Sequence, residues 1–179
     1  MRECRGESVR IIAGSRRGHT IQAPKGLDTR PTSDRVRENV FNIVAPWVEG
    51  ARVLDLYAGS GAMGLEALSR GAERAVFVES DPEAVRAIER NLDKLGLTGA
   101  RVVRGDAVTG LGQEAGAGRK YDLVLADPPY TMTDYQPLSA TCPACSPTTG
   151  CWSSRPRRGP SPSSPGSPSA HRVNTARRG

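Results

Sequence analysis

The tetrapeptide Asp127-Pro128-Pro129-Tyr130 brings together the groups in this sequence that are best suited to chemistry. It follows the apolar run Leu123-Val124-Leu125-Ala126, a pattern that predicts a buried parallel strand ending in a rigid turn. Because proline has no N–H, the Asp127 carboxylate and the Pro128 carbonyl oxygen can accept hydrogen bonds without a competing donor. With Tyr130 as a stacking surface, the arrangement suits a planar ring that carries an exocyclic amine. The alternative is a strand-end turn with a surface tyrosine.

A glycine-rich turn supplies a second candidate site. The spacing Gly59-x-Gly61-x-x-Gly64 lies between a predicted strand at residues 52–57 and a helix that ends by residue 71. Strand, glycine turn and helix form the nucleotide-binding opening of a doubly wound α/β sheet, where the backbone can approach a ligand closely. The spacing also fits a dinucleotide. Asp55, however, would repel a pyrophosphate and attract an ammonium group, which favours S-adenosylmethionine.

Two further acids follow predicted strands. Glu79 ends a strand at residues 75–78, where a carboxylate can accept hydrogen bonds from both ribose hydroxyls. Asp106 follows a strand at residues 101–104 and can accept from an adenine amine, although a helix cap is the rival interpretation. Asp81 begins the intervening helix, so we expect a structural role for it. The segment from residue 111 to 120 is glycine-rich and weakly patterned, and no element is assigned to it.

The first 40 residues predict a hairpin and the start of a helix. Short strands at residues 9–12 and 20–23 flank a loop that contains two arginines between glycines. Thr32 or Ser33 can cap a helix that runs to Pro46, with an apolar stripe predicted to pack in the core. Arginines that remain for contact with phosphate are Arg10, Arg16, Arg17, Arg30, Arg35 and Arg37. The apolar stripe consists of Val36, Val40, Ile43 and Val44, with Phe41 at its edge.

The charge is unevenly distributed along the chain. The formal net charge is +6, yet residues 1–40 carry nine basic and five acidic side chains, and residues 41–138 carry ten and fourteen. A basic N-terminal arm on a mildly acidic body fits a polyanion bound at one edge, although a solvated arm would show the same pattern. We therefore divide the chain into the arm (1–40), a cofactor-binding catalytic domain (41–138) and a tail (139–179).

Composition excludes several classes of protein. No apolar run approaches the roughly 20 residues that span a bilayer, and the N-terminus has no signal-peptide pattern, so we expect a cytoplasmic protein. The spacing Cys142-x-x-Cys145 resembles half of a metal site or a redox pair. Cys151 would be at best a third ligand and Cys4 is distant in sequence, so we predict no metal site.

The tail differs sharply from the rest of the chain. Residues 139–179 hold nine serines, seven prolines, six arginines and no acid, which predicts a disordered segment. A reading-frame slip in a GC-rich gene would explain the change, because codons read two bases later encode a helix end, a turn and a buried apolar strand from Cys142 onward. We hypothesise such a frameshift after about residue 138. An intact frame on resequencing would contradict it.

Loss of that strand would have a structural consequence. The predicted strand at residues 123–126 would become an exposed apolar edge. We therefore expect the chain as written to be weakly folded or to aggregate, and a cooperative thermal transition well above mesophile norms would contradict this expectation.

Four segments between residue 9 and about residue 135 carry a resemblance to a known family. They are Arg10-Ile11-Ile12-Ala13-Gly14 with Arg17-Gly18, Arg30-Pro31-Thr32 with Asp34-Arg35-Val36-Arg37-Glu38, Asp55-Leu56-Tyr57-Ala58-Gly59-Ser60-Gly61 with Gly64-Leu65-Glu66-Ala67, and Asp127-Pro128-Pro129-Tyr130. Together they resemble class I S-adenosylmethionine-dependent methyltransferases, in particular the bacterial 16S ribosomal RNA guanine-N2 methyltransferases. The arm and the Arg-Pro-Thr segment point to ribosomal RNA, since the Asp-Pro-Pro-Tyr motif is shared with adenine-N6 DNA methyltransferases.

The resemblance implies a fold, a partner and a role for each matching residue. It implies a Rossmann-like α/β fold in which four parallel strands are present and later strands are missing, and a monomer that acts on 16S ribosomal RNA or the small-subunit particle. The cofactor would be held by Asp55, Tyr57, Gly59, Gly61, Glu79, Asp106 and Ala107. Asp127 and the Pro128 carbonyl would accept from the guanine amine, and Tyr130 would stack on the flipped base.

Three other functions remain open from the sequence. One is methylation of adenine in DNA. Another is an inactive remnant that binds cofactor or RNA without turnover, which the altered tail favours. A dinucleotide-dependent oxidoreductase is the weakest, because the Asp-Pro-Pro-Tyr motif would have no role in it.

Overall fold

Strands and helices alternate along the chain from residue 52 to residue 126. The computed structural model describes residues 9–24, 33–128 and, for the backbone alone, 151–152. Within these ranges the elements are β1 (Val9–Arg10), β2 (Thr20–Ile21), α1 (Asp34–Val44), a 3₁₀ turn (Ala45–Trp47), β3 (Arg52–Leu56), α2 (Ala62–Ser69), β4 (Arg74–Glu79), α3 (Pro82–Leu95), β5 (Ala100–Arg104), α4 (Ala107–Gly116), β6 (Leu123–Ala126) and β7 (Cys151–Trp152). The predicted hairpin is present as β1 and β2, which pair antiparallel.

The main sheet has the strand order β5-β4-β3-β6-β7. β5, β4, β3 and β6 are parallel, which confirms the predicted four-stranded Rossmann-like sheet. The chain moves from β3 outward through β4 to β5 and then returns to place β6 on the other side of β3. This reversal is the topological switch point at which open α/β sheets bind ligands.

β6 is not the edge of the sheet. β7 pairs antiparallel with β6 through Val124↔Trp152 and Leu125↔Cys151, so the prediction of an exposed apolar edge is wrong at these positions. The two extended residues of β7 are enough to supply hydrogen-bond partners for the backbone of β6 at these positions. The prediction that the tail forms no strand therefore fails at Cys151–Trp152. The rest of residues 139–179 lies outside the described residues, and the frameshift and the weak folding stay predictions.

The sheet is covered on both faces, which explains why its strands are almost continuously apolar. Alternate strand residues pack against α1, α2, α3 and the hairpin on one face and against α4 on the other. The first face contributes Val53, Ala75, Phe77, Leu123 and Leu125. The second contributes Leu54, Leu56, Val76, Val78 and Val124, which pack on Ala107 and Leu111 of α4.

The hairpin belongs to the larger of these two cores. Val9, Ile11 and Ile21 are buried together with Phe41 of α1 and residues of α2 and α3. A boundary at residue 40 would cut through α1. The described part of the arm is therefore packed on the sheet domain, and the division into domains stays a prediction.

The buried face of α1 differs from the predicted stripe. Val36 and Ile43 are 50% and 72% exposed, whereas Phe41 and Arg37 are completely buried. Arg37 donates to the Arg10 carbonyl and to Asp34 (2.9 Å), so the hairpin backbone supplies the acceptor that allows a guanidinium to face inward. The hairpin thus fixes the rotation of the helix, which apolar spacing alone could not show. Ser33 caps α1 as one of the two predicted candidates.

α4 is a helix whose start was only one of two interpretations of Asp106, and no element was assigned to residues 111–120. It begins after Asp106 and contains Gly110 on the side that faces β4. A Cβ on Gly110 would lie 2.7 Å from Val78 Cγ1, so this glycine permits close contact between helix and sheet. The glycines that obscured the helical pattern are therefore partly a consequence of its packing.

Candidate functional site

The site lies at the carboxyl ends of β3, β4 and β6. Leu56 pairs with both Val78 and Ala126, so Tyr57, Glu79 and Asp127 each follow the same row of the sheet. Adjacent strands are about 4.8 Å apart, which places the Asp127 backbone next to Tyr57 and the Glu79 backbone on its other side. Asp127 is exposed at this edge and Pro128 is half-buried. Tyr130 lies outside the described residues, so its role in stacking stays a prediction.

Asp55 lies beneath the glycine turn and is 3% exposed. One carboxylate oxygen accepts the Gly64 N–H at 2.8 Å, in the first turn of α2. Burial raises the pKa of the Asp55 carboxyl to about 8; the bond from Gly64 opposes the shift, and the negative charges of Asp127 and Glu79 add to it. Asp127 and Glu79 are therefore close enough to Asp55 to influence its charge.

The glycines of the turn are accounted for by different structural features. Gly61 precedes α2 with φ 79°, a left-handed conformation that favours glycine. A Cβ on Gly64 would lie 2.3 Å from the Phe77 ring, so α2 could not approach β4 with a larger residue there. Gly59, with φ 55°, has no atom within 4 Å of a Cβ position except the Tyr57 carbonyl at 4.0 Å. The turn is thus open on the Gly59 side.

Tyr57 also has positive φ, at 58°. This conformation costs a side-chain-bearing residue roughly 1–2 kcal/mol and is found most often where surrounding structure imposes it. The next residue donates its N–H to Val78 O at 3.2 Å, which fixes the chain against β4. Strain at Tyr57 is consistent with its predicted position beside a ligand.

Glu79 ties the glycine turn to the end of β4. One carboxylate oxygen accepts the Gly59 N–H at 2.8 Å, and the other accepts the N–H groups of Ser80 and Asp81 at 2.8 and 2.9 Å. The Ser80 hydroxyl also donates to this second oxygen, at 3.4 Å, so a contact to ribose would fall on the first oxygen, which accepts one bond. Glu79 therefore shapes the turn whether or not it binds the ribose.

Asp106 caps α4. Its carboxylate accepts the Thr109 N–H at 2.9 Å and the Thr109 hydroxyl at 3.1 Å. The helix cap, the rival interpretation from the sequence, is thus what the structure contains. Ala107 is buried against the sheet. Contact of either residue with adenine stays a prediction.

Glu66 of α2 holds the hairpin loop to the domain and was not assigned a role from the sequence. Its completely buried carboxylate accepts the N–H groups of Ile12 (2.7 Å) and Ala13 (3.0 Å) and forms an ion pair with Arg70 at 2.7 Å. Ser69 adds two more bonds, from Arg16 N–H (3.0 Å) and to the Ala13 carbonyl (2.6 Å). The sequence signal that could have revealed this role is the position of Glu66, an acid in an otherwise apolar segment of the helix.

Asn91 of α3 connects the hairpin to the glycine turn. Its side chain exchanges two bonds with the Gln22 backbone, at 2.8 and 3.0 Å, and donates to the Ser60 carbonyl at 3.1 Å. Asn91 is completely buried. The hairpin and the glycine turn are therefore held by the same buried side chain.

The candidate phosphate-binding arginines fall into two groups. Arg37 is buried as described above, and Arg16 donates to the Leu95 and Gly96 carbonyls at the carboxyl end of α3, where a cation is favourable. Both side chains are held by contacts within the fold, and contact of Arg16 or Arg37 with RNA stays a prediction. The exposed arginines among the candidates are Arg10, Arg17 and Arg35. Arg30 lies outside the described residues.

A second buried acid, Glu114, was also missed. It forms ion pairs with Arg101 (2.6 Å) and Arg119 (2.8 Å) and accepts from the Tyr121 hydroxyl. Although burial opposes the shift, these contacts hold the pKa of Glu114 below its usual range. Burial and the bond to Glu114 raise the pKa of Tyr121 to about 12. The cluster joins α4 to β5 and β6 on the side away from the glycine turn.

Within the described ranges, no helix is long and apolar enough to cross a bilayer. No cluster of three or more His, Cys, Asp or Glu side chains in the same ranges is arranged to hold a metal ion. Cys4, Cys142 and Cys145 lie outside those ranges, and the prediction about them is untested.

The switch point, the glycine turn after β3 and the acids at the carboxyl ends of β3, β4 and β6 together define the class I methyltransferase fold. The chain belongs to the family described as Conserved hypothetical protein 95, which matches residues 9–146. The match continues beyond the boundary predicted at residue 138, so the family resemblance is longer than the sequence motifs indicated.

Relatives with established names support this membership. Ribosomal RNA small subunit methyltransferase D of Escherichia coli K12 is 43% identical over 122 residues, which cover 68% of this chain and 60% of that protein. The protein of the same name from Haemophilus influenzae is 38% identical over 124 residues, 68% and 64% of the two chains. This chain thus spans less than two thirds of either relative. The predicted resemblance to bacterial small-subunit ribosomal RNA methyltransferases is confirmed.

Solved structures agree on the fold. A hypothetical protein from Thermus thermophilus superposes with a TM-score of 0.67 at 38% identity, covering 74% of this chain and 78% of that one.

Proposed function

We propose that this protein transfers a methyl group from S-adenosylmethionine to the exocyclic N2 amine of a guanine in small-subunit (16S) ribosomal RNA. The observation that carries the proposal is the convergence of Asp55, Glu79 and Asp127 at the switch point, with Asp127 exposed and followed by a proline. The names of the relatives, ribosomal RNA small subunit methyltransferases, support the RNA substrate.

The residues present fit S-adenosylmethionine. A buried carboxyl whose pKa is raised to about 8 gains most from a bound cation, and Asp55 would hold the ammonium of the methionine part. Glu79 would accept from the ribose, and the open side of Gly59 leaves room for the ligand next to the backbone. The cofactor supplies a methyl group already activated by its sulfonium.

The protein's part in the reaction is to present the amine. An aryl amine is a poor nucleophile because its lone pair is delocalised into the ring. Asp127 and the Pro128 carbonyl would accept hydrogen bonds from its two hydrogens, make the nitrogen more tetrahedral and direct its lone pair toward the methyl group. Asp127 would then accept the proton that the methylated amine loses. Catalysis would rest on positioning and electrostatics.

The test is identification of the methylated nucleoside. The full chain is incubated with labelled S-adenosylmethionine and, in parallel, naked small-subunit RNA, assembled small subunits and DNA, and the products are digested and analysed by mass spectrometry. N2-methylguanosine from either RNA substrate is the expected result. N6-methyladenine from DNA, or cofactor binding without any methylated product, would overturn the proposal in favour of the DNA enzyme or the inactive remnant.

A further inference from the structure

A cleft of about 270 Å³ lies between the hairpin loop and α1, away from the glycine turn. Its lining includes Ile11, Ile12 and Gly18 from the hairpin and Glu38 from α1. A Cβ on Gly18 would meet no atom within 4 Å, so the cleft is open at that point. It is somewhat smaller than the roughly 300–1,000 Å³ typical of sites for drug-sized ligands, a size that suits a single nucleoside.

Some of the described polar side chains of this cleft already form ion pairs, whereas others do not. Asp34 is engaged by Arg37 at 2.9 Å and by Arg10 at 3.6 Å. Arg17 and Glu38 also line the cleft, and both are exposed. Among the described residues, neither side chain forms a hydrogen bond or an ion pair. The cleft therefore offers one guanidinium and one carboxylate, together with an apolar wall from Ile12.

Guanine matches this pair of groups better than the other bases do. Its N7 and O6 atoms are adjacent acceptors that a guanidinium binds in a bidentate manner. Its N1–H and N2 amine are adjacent donors, and a carboxylate is an acceptor-only group. Adenine has no pair of adjacent donors to offer Glu38, and its N6 amine would face Arg17 as a second donor.

We propose that this cleft is a second guanine-binding site, which reads a nucleotide of the RNA outside the methylated position, with Arg17 on N7 and O6 and Glu38 on N1–H and N2. The proposal rests on the proposed function in so far as RNA is the partner. Ile12, in the wall of the cleft, is held by its N–H to buried Glu66 at 2.7 Å. A base in the cleft would thus be fixed relative to the sheet, and with it the register of the RNA at Asp127.

The test is an NMR titration of the ¹⁵N-labelled full chain with guanosine, inosine and adenosine 5′-monophosphates. Guanosine monophosphate should shift the amide signals of Ile12 and Gly18 saturably. Inosine monophosphate, which lacks the N2 amine, should bind there about tenfold more weakly, the low end of the discrimination by one bidentate pair. Adenosine monophosphate should leave these signals unchanged. Signals of Gly59 and Gly64 report separately on the catalytic edge.

Variants assign the contacts. In Glu38→Gln, the affinity for guanosine monophosphate, measured from the Ile12 amide signal, should fall to the affinity of the wild type for inosine monophosphate. Arg17→Ala should weaken both nucleotides equally. Glu49→Gln removes an exposed carboxylate that does not line the cleft and should change neither. All three side chains are exposed, so the spectra should otherwise retain the wild-type pattern.

Several results would overturn the proposal. They are the absence of guanosine-induced shifts at Ile12 and Gly18, equal affinity there for guanosine and adenosine monophosphates, and a preference for guanosine that survives Glu38→Gln. Because no methyl transfer is measured, the outcome is independent of the proposed function. N2-methylguanosine could be produced without this cleft binding guanine, and the cleft could bind guanine in a protein that transfers no methyl group.

Discussion

Asp55 shows how a single residue carries both a structural cost and a functional preference. Its carboxyl is buried, receives one backbone N–H from Gly64 and lies within the field of two other carboxylates. With a pKa of about 8, it is mostly protonated at neutral pH when no cation is present. A bound ammonium would favour the charged form and thereby offset the cost of burial.

This raised pKa predicts how stability depends on pH. The ordinary pKa of an aspartate is 3.8, whereas the pKa of Asp55 in the folded protein is about 8. The folded state therefore binds this proton more tightly than the unfolded state does. Its contribution to stability is complete below about pH 4 and is lost as the pH rises through about 8. In Asp55→Asn, whose amide oxygen can still accept the Gly64 N–H, this loss should be absent.

The measurement is the free energy of unfolding of wild type and Asp55→Asn by denaturant titration from about pH 5 to 9, the range that brackets the raised pKa. The difference between the two proteins should grow in favour of the variant as the pH increases. Titrating groups that do not interact with Asp55 affect both proteins alike and cancel. Parallel pH profiles would show that Asp55 is not protonated in the folded protein.

At the scale of elements, the hairpin loop is attached to α2 by hydrogen bonds rather than by apolar contact alone. Glu66 accepts from Ile12 and Ala13 and pairs with Arg70, whose guanidinium lies 4.8 Å from the centre of the Phe41 ring. Loss of this carboxylate would leave buried donors and a largely buried guanidinium without their acceptor. Such changes are among the costliest single substitutions.

We expect Glu66→Gln to lower the free energy of unfolding by about 3 kcal/mol and to accelerate hydrogen exchange at the Ile12 and Ala13 amides. The matched control is Glu73→Gln, because Glu73 pairs with Arg74 at 3.5 Å on the surface. That change should cost less than about 1 kcal/mol. Equal effects of the two substitutions would show that Glu66 does not anchor the loop.

Gly14 and Gly18 provide a comparison within the same loop. Their φ angles are 84° and 82°, but a Cβ would lie 1.8 Å from the Ser69 carbonyl oxygen at Gly14 and near no atom at Gly18. Gly18→Ala should therefore cost only the conformational strain, roughly 1–2 kcal/mol. Gly14→Ala should cost at least about 2 kcal/mol more, because backbone must move.

Thermal or denaturant unfolding of both alanine variants measures this difference directly. The shared φ makes each variant the control for the other. Similar stabilities would mean that the loop does not lie against the end of α2 as described.

At the scale of the whole molecule, the parallel sheet and the residues at the carboxyl ends of its strands could be predicted from local pattern. Apolar runs followed by Asp127, the glycine turn or Glu79 define both the strands and their carboxyl ends, since parallel strands end at one edge. That local reasoning also indicated Asp106 as a helix cap, one of two alternatives.

What could not be predicted depends on contacts between distant segments. Arg37 is buried where the Arg10 carbonyl and Asp34 accept from it, and Val36 on the same helix is exposed. Gly110 weakens the helical pattern of α4, and the glycine is needed there because the helix packs against Val78 of β4. β7 pairs with β6, which is separated from it by residues 127–150, and nothing in Cys151–Trp152 itself indicates that partner.

The central claim concerns the edge of the sheet: Asp127 positions the base amine and Asp55 and Glu79 hold the cofactor. The most direct measurement compares Asp127→Ala with wild type in two assays, methyl incorporation into small-subunit RNA and calorimetric binding of S-adenosylhomocysteine. The account predicts that incorporation falls by at least about 100-fold while S-adenosylhomocysteine binding is largely retained. Full methyl transfer by Asp127→Ala would contradict it.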